Sequence, residues 1–181
     1  GGVYEEGTGN KPFAFLRLFE RGYDRVIYLD PDILAVSPME ELDQAFEAGA
    51  GLVLTPHSTR PLEDGKDPDD VRLMRTGVYN LGFLGCANSP ATLDLLEWWG
   101  RRMKTDCRGD LEAGLFVDQK FMDLAPAYAE GVGILRHTGY NTAYWNLASR
   151  TVRREGTGWT AGKQPLRFFH FSGVIPGNRS V

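Results

Sequence analysis

The chain reads as an α/β domain with a mostly parallel sheet flanked by helices. Three observations carry that reading. Apolar runs of strand composition recur at residues 26–29, 51–54, 78–86, 132–135 and 166–171. Segments with helical spacing, opened by capping or turn residues, alternate with them. The first two runs are apolar at consecutive positions, which is the pattern of strands buried on both faces of a parallel sheet.

In chain order, residues 1–10 are polar and Gly-rich and read as loop. Residues 11–21 form a helix, with Phe13, Phe15, Leu16, Leu18 and Phe19 on a wide apolar face and Ala14, Arg17 and Arg21 opposite. Gly22 supplies the stop signal. Val26-Ile27-Tyr28-Leu29 is a strand whose apolar character on both faces predicts a central position. Ser37-Pro38-Met39-Glu40 has the capping-box pattern with Pro at the first helical position. That helix is expected to run to about Ala48, with Met39, Leu42, Ala45 and Phe46 inward. Residues 51–54 make a second short buried strand. Residues 55–75 contain Pro56, Pro61 and Pro68 among many charges and have no period, so they read as a long loop. Residues 78–86 return to strand character, interrupted by Gly82 and Gly85. Ser89-Pro90 opens a helix with Leu93, Leu96, Trp99 and Met103 on one face. Residues 116–124 read as a short helix with Asp118 in its first turn, and the last two runs as further strands. No internal repeat is visible.

The 181 residues are the size of one domain, and 42% hydrophobic with 24% charged residues is enough for a core. The net charge of −4 argues against a nucleic-acid footprint. No apolar run reaches the roughly 18 residues of a membrane span, and no signal-peptide pattern opens the chain. Cys86 and Cys107 form neither a disulfide framework nor a metal spacing, and Cys86 reads as a buried thiol. A cytoplasmic location is the default. The chain opens on Gly1-Gly2-Val3-Tyr4 without Met, and its first helix leads directly into the first strand. The expectation is a segment of a longer polypeptide.

Asp30-Pro31-Asp32 is the most informative feature. It sits at the carboxyl end of the first strand, where open α/β sheets bind ligands. Asp-Pro-Asp is also ordinary turn chemistry. Two carboxylates held close call for a cation, and their oxygens suit a hard divalent ion that shares its shell with substrate phosphates. His170 lies in Arg167-Phe168-Phe169-His170-Phe171-Ser172-Gly173 as the only polar ring in an aromatic strand. Alone it reads as a core histidine. Beside two carboxylates it would favour a transition ion such as manganese over magnesium. Ser172-Gly173 offer uncovered backbone N–H groups to a phosphate.

Asp118-Gln119 reads either as helix-terminal stabilisation or as a polar pair aimed at sugar hydroxyls or a reacting carbon. In Asn80-Leu81-Gly82 an amide within an apolar strand needs partners, and the glycine marks a close approach to the backbone. Asn141 after Gly139-Tyr140 is compatible with turn chemistry.

Lys11-Pro12, Tyr28-Leu29-Asp30-Pro31-Asp32, Tyr79-Asn80-Leu81-Gly82-Phe83, Asp118-Gln119, Tyr140-Asn141 and His170-Phe171-Ser172-Gly173 occur in an order that resembles nucleotide-sugar glycosyltransferases of the GT-A fold. They look most like the family 8 group, which includes glycogenin and bacterial galactosyltransferases. The resemblance covers about residues 11–173. It implies a divalent metal, usually manganese, held by Asp30, Asp32 and His170 and gripping the donor's diphosphate. It implies catalytic roles for Asp118 and Gln119. Lys11, Asn80, Gly82, Asn141 and Gly173 would contact a nucleotide-diphosphate sugar donor or a carbohydrate, lipid or protein acceptor. The charge, prolines and lack of period of residues 55–75 predict a mobile flap over the acceptor side. Transfer would retain the anomeric configuration.

The chain departs from the family in two places. The family's first βαβ unit, which holds the nucleotide base, would precede residue 1, so residues 1–181 are expected to be one catalytic domain lacking that part. Val174-Ile175-Pro176-Gly177 stand where the family carries a phosphate-binding lysine.

Competing readings are a haloacid-dehalogenase-type phosphohydrolase with Asp30 as nucleophile, a non-catalytic sugar- or partner-binding transferase relative, and a purely structural domain. The first wants Gly or Thr after the Asp pair and an acidic pair after a later apolar strand. Here Ile33-Leu34 follow, and Asp69-Asp70 lie in a polar stretch.

Overall fold

The computed structural model describes residues 7–174. Helix α1 (Lys11–Glu20) leads into β1 (Arg25–Leu29), and a tight turn follows into β2 (Ile33–Ala35). Then come α2 (Glu40–Glu47), β3 (Leu52–Leu54), α3 (Asp70–Thr76), β4 (Phe83–Ala87) and the long α4 (Pro90–Asp106). The pair β5 (Gly109–Asp110) and β6 (Leu115–Phe116) precedes a 3₁₀ turn at Gln119–Leu124, α5 (Ala125–Tyr128) and β7 (Val132–Ile134). The chain closes with β8 (Val152–Glu155), β9 (Gly158–Ala161), β10 (Gln164–Pro165) and β11 (Phe168–His170).

The main sheet has the order β1-β4-β3-β7. It is mixed, not mostly parallel: β1 and β3 both run antiparallel to β4, and only β3 and β7 are parallel. The 28 positions from 55 to 82 explain this, because they carry the chain from the end of β3 back to enter β4 in the opposite direction.

Side-chain alternation gives the sheet two apolar faces. Leu52, Leu54, Leu84 and Cys86 face α1 and α4, where Phe15, Phe19, Leu96 and Trp99 close one core. Val53 and Phe83 face the other way, onto Leu42 and Phe46 of α2 and onto Phe168 and Tyr140. Gly85 permits that second layer, since a Cβ there would stand 2.9 Å from Leu42 and 3.1 Å from Phe46.

Among the described residues β1 pairs on one side only, to β4, and its burial alternates, with Ile27 47% exposed and Leu29 36%. Three local expectations need correction. Ser37 does not cap α2; its hydroxyl donates to Leu166 O at 2.7 Å, and the helix begins at Glu40. Residues 55–75 are not structureless. Thr55, Pro56 and His57 are buried, and α3 forms at their end because Asp69 caps it, accepting from the Arg72 amide at 2.7 Å. Residues 116–124 begin in β6 and continue as a 3₁₀ turn. By contrast Ser89 caps α4 as expected, accepting from the Thr92 amide. Residues 175–177, where the lysine departure falls, lie outside the described residues. No helix among the described residues is long and apolar enough to cross a membrane.

Candidate functional site

A pocket of about 590 Å³ opens at the carboxyl ends of β1 and β3. Asp30, Asp32, His170 and Asp118 line it. So do Lys11, Asn80, Gly82 and Gln119. Asn141 sits behind the wall, and Gly173 lies one residue past Ser172 in an exposed turn, outside the lining.

Two strand pairings assemble its centre. The Asp30 amide donates to Gly82 O at 2.8 Å, and the Ile33 amide donates back to Asp30 O, so the chain reverses sharply at Pro31. β2 then pairs antiparallel with β11, setting His170 opposite Ile33, and the Phe171 amide donates to Asp32 O at 2.9 Å. This register carries the imidazole to the acidic turn. His170 Nε2 lies 3.1 Å from Asp32 Oδ1 and 3.8 Å from Asp30 Oδ2, and the three groups offer ligand atoms all within 4.8 Å of one another. Nε2 is buried and makes no hydrogen bond. An unpartnered buried nitrogen facing two carboxylates is the arrangement a cation would complete. Two carboxylate oxygens with one imidazole are a donor set that fits a divalent metal. Burial lowers the His170 pKa, against the opposing pull of Asp32 and Asp30.

A second charged group lies beside the first. Lys11, at the start of α1, is 4% exposed. Its ammonium lies 2.8 Å from Asp118 Oδ2 and 3.9 Å from Asp30 Oδ1, and donates to Leu81 O at 3.0 Å. It also sits 4.7 Å above the Tyr28 ring, whose hydroxyl donates to Asp30 Oδ1 at 2.6 Å. Burial raises the Asp118 pKa and Lys11 opposes that rise. Val117, just before Asp118, has φ 41, an outlier for a β-branched residue that costs about 1–3 kcal/mol and is typical of functional sites. Trp99 Nε1 donates to Asp118 O at 3.1 Å and holds that backbone.

Gln119, expected as a catalytic residue, lines the pocket beside Asp118. Its Oε1 accepts from the Leu81 amide at 3.2 Å and its Nε2 donates to Thr76 O at 2.9 Å, so both ends of the amide hold backbone on the pocket wall. Asn80 Oδ1 accepts from the Gly82 amide at 3.0 Å, while its Nδ2 faces His57 Nε2 at 3.1 Å. Gly82 is required by close packing. A Cβ there would stand 2.8 Å from His170 Nδ1 and 2.9 Å from Asn80 Oδ1, and would overlap the imidazole Cε1.

Sequence reasoning missed His57, Tyr144 and Trp145, which also line the pocket. His57 follows β3 as Asp30 follows β1, and the strand-end rule that singled out the Asp pair would have found it. Burial holds the His57 pKa down at about 4. Asp69 and Asp70 play no part in the site: one caps α3, and the other accepts from the Leu62 amide at 3.1 Å.

The fold resembles two solved glycosyltransferases. One is involved in glycosylation of the major capsid of PBCV-1; it aligns with a TM-score of 0.59 at 7% identity, over 97% of this chain and 74% of that one. The other is mouse xyloside xylosyltransferase 1 in its apo form, with a TM-score of 0.52 at 17% identity, over 97% of this chain and 68% of that one. The chain therefore has a glycosyltransferase-like mixed α/β fold. In sequence it is 30% identical over 130 residues to the uncharacterized protein YfnD of Bacillus subtilis (strain 168). That match covers 68% of this chain and 39% of that protein, so the chain spans well under two thirds of its relative's length. No family model matches the chain.

Proposed function

We propose that this chain carries the catalytic centre of a metal-dependent glycosyltransferase of the GT-A type, akin to family 8. It would move a sugar from a nucleotide-diphosphate sugar to an acceptor hydroxyl on a carbohydrate, lipid or protein, with retention of configuration. The convergence of Asp30, Asp32 and the unpartnered His170 Nε2 in one pocket carries the reading, and the glycosyltransferase-like fold supports it.

In this reading Asp30, Asp32 and His170 hold a divalent ion, manganese ahead of magnesium. When bound, the ion supplies Lewis-acid stabilisation of the charge that grows on the diphosphate leaving group. The chain's residues supply the rest. Tyr28 and Lys11 hold Asp30 Oδ1 from one side, which leaves Oδ2 free to face His170. Asp118, paired with Lys11 at 2.8 Å, would place its carboxylate beside the sugar carbon that becomes electron-poor as its bond to phosphate breaks. Gln119 acts at one remove, fixing the wall segment from Thr76 to Leu81, and Asn80 with Gly82 presents that wall to the donor sugar. Ser172, which lines the pocket, and Gly173 after it would offer backbone N–H groups to the diphosphate.

The test is thermal unfolding with Mn²⁺, Mg²⁺ or chelator across a panel of nucleotide sugars, since a ligand that binds only the native state raises its stability by mass action. The expected result is protection by a nucleotide-diphosphate sugar that requires Mn²⁺ and is lost in Asp30→Asn. Protection independent of metal, or hydrolysis of a generic phosphomonoester, would overturn the reading.

A further inference from the structure

We infer that Asn141 is the positioning residue of this centre, holding the His170 ring as its Nδ1–H tautomer so that the Nε2 lone pair faces Asp30 and Asp32. The inference rests on reading those three side chains as metal ligands, and it names the residue that prepares the imidazole for that role.

The argument follows the hydrogen-bond network. Asn141 is fully buried. Its Nδ2 lies 3.3 Å from Asn80 O and 2.5 Å from Thr55 Oγ1. A backbone carbonyl only accepts, so the amide's NH₂ group must lie on that side, which fixes the orientation of the side chain. Its Oδ1 is then the atom 3.1 Å from His170 Nδ1. An amide oxygen also only accepts, so Nδ1 must carry the proton. A neutral imidazole has one N–H, and Nε2 is left with its lone pair.

The alternative tautomer has a strong attraction of its own. With the proton on Nε2, the ring would donate to Asp32 Oδ1, 3.1 Å away, in a charge-assisted hydrogen bond. That bond would occupy both the nitrogen and the carboxylate. Asn141 opposes it by offering an acceptor on the other side of the ring. Metal-bound histidines are commonly fixed in this way by a partner on the second nitrogen.

The fold holds Asn141 where this requires. Its φ of 48 lies in the left-handed region, which Asn tolerates better than most residues. Asn146 Nδ2 donates to Asn141 O at 2.9 Å, and Arg150 Nη1 donates to Tyr140 O at 2.6 Å. The His170 amide donates to Thr142 O at 2.8 Å, tying the strand that carries the imidazole to the loop that carries the amide.

Long-range ¹H–¹⁵N correlation spectra of metal-free, ¹⁵N-labelled protein at neutral pH read the tautomer directly, with His170 assigned by its loss in His170→Gln. The expected wild-type pattern is protonated Nδ1 with bare Nε2, and an Nε2–H pattern overturns the inference. Asn141→Gly accepts the same φ and removes the acceptor. It should move the ring to the Nε2–H form and weaken Mn²⁺ binding, by calorimetry, about 10- to 100-fold, the usual cost of losing such a partner. Asn141→Asp keeps an oxygen facing Nδ1 and should hold the wild-type tautomer, with Mn²⁺ affinity well above that of the glycine variant. A wild-type tautomer in Asn141→Gly, or equal losses in both variants, overturns the inference. If the glycine variant fails to fold, the wild-type and Asn141→Asp spectra decide, and an Nε2–H ring in either refutes it. Wild-type protein with the Nδ1–H pattern that takes up no Mn²⁺ keeps the tautomer assignment and overturns the metal reading beneath it.

Discussion

Replacing Lys11 with methionine tests the electrostatics of the pocket. Methionine keeps the apolar stem and removes the ammonium that lies 2.8 Å from Asp118 Oδ2, within a pair whose side chains are 4% and 3% exposed. The substitution leaves Asp118 as an uncompensated buried carboxylate and deprives Leu81 O of its donor. Removing one partner of a buried pair costs about 3–5 kcal/mol. At about 2–4 °C per kcal/mol for a chain of this size, Tm should fall by roughly 6–20 °C. The loss should depend on pH. Burial raises the folded-state pKa of Asp118, and without Lys11 only a backbone hydrogen bond opposes that rise. A folded-state pKa above the unfolded one means that the native state binds the extra proton. The penalty is therefore full above the folded pKa and fades as pH falls through it toward the unfolded value. Urea unfolding at neutral and mildly acidic pH measures both effects. Lys11→Met/Asp118→Leu should be more stable than Lys11→Met alone, because it removes the stranded charge. A cost below about 1 kcal/mol, the range of a surface pair, or a double variant no better than the single one, would refute the reasoning.

Asp30→Asn should fold normally, because the side chain is only partly buried and asparagine keeps an oxygen to accept from the Tyr28 hydroxyl; it should weaken Mn²⁺ binding by more than the roughly 100-fold that outer contacts cost, as titration calorimetry would show. Gly82→Ala should push the His170 ring off its position, with about 1–3 kcal/mol lost to overpacking and a clear drop in Mn²⁺ affinity; unchanged affinity would mean that the ring is not held where the structure has it. His57 has a pKa of about 4 in the folded state against an ordinary 6.5, so between those values the unfolded state binds the extra proton and stability falls as pH drops. That group alone is worth up to about 3 kcal/mol across the window, and His57→Gln should flatten the stability–pH curve there by a comparable amount.

The sequence by itself determined the local units. Helical spacing and the Ser89-Pro90 signal located α1 and α4, because capping and amphipathic burial depend on residues within a turn or two of one another. Apolar runs located β1, β3, β7 and β11 for the same reason. The chemistry-bearing residues Asp30, Asp32, Asp118 and His170 were visible as types out of place in their surroundings. What the sequence could not determine was direction and partnership. Among the described residues β1 pairs only with β4, and which strand flanks which is set by tertiary pairing that no local apolar run encodes. The sheet is mixed because residues 55–82 reverse the chain, and no local pattern encodes a return path of that length. The capping box at Ser37 failed because its hydroxyl found Leu166 O, 129 positions along the chain.

The candidate site divides along the same line. Its carboxylates come from one turn and were legible together. His170 joins them only through the register of β2 with β11, and a shift of one residue would turn the imidazole to the other face. The pairing of Lys11 with Asp118, the use of both ends of the Gln119 amide on backbone, and the place of Asn141 behind the imidazole are tertiary facts. Each is a hydrogen bond or ion pair between residues distant in sequence, and only the packed fold decides which donor meets which acceptor.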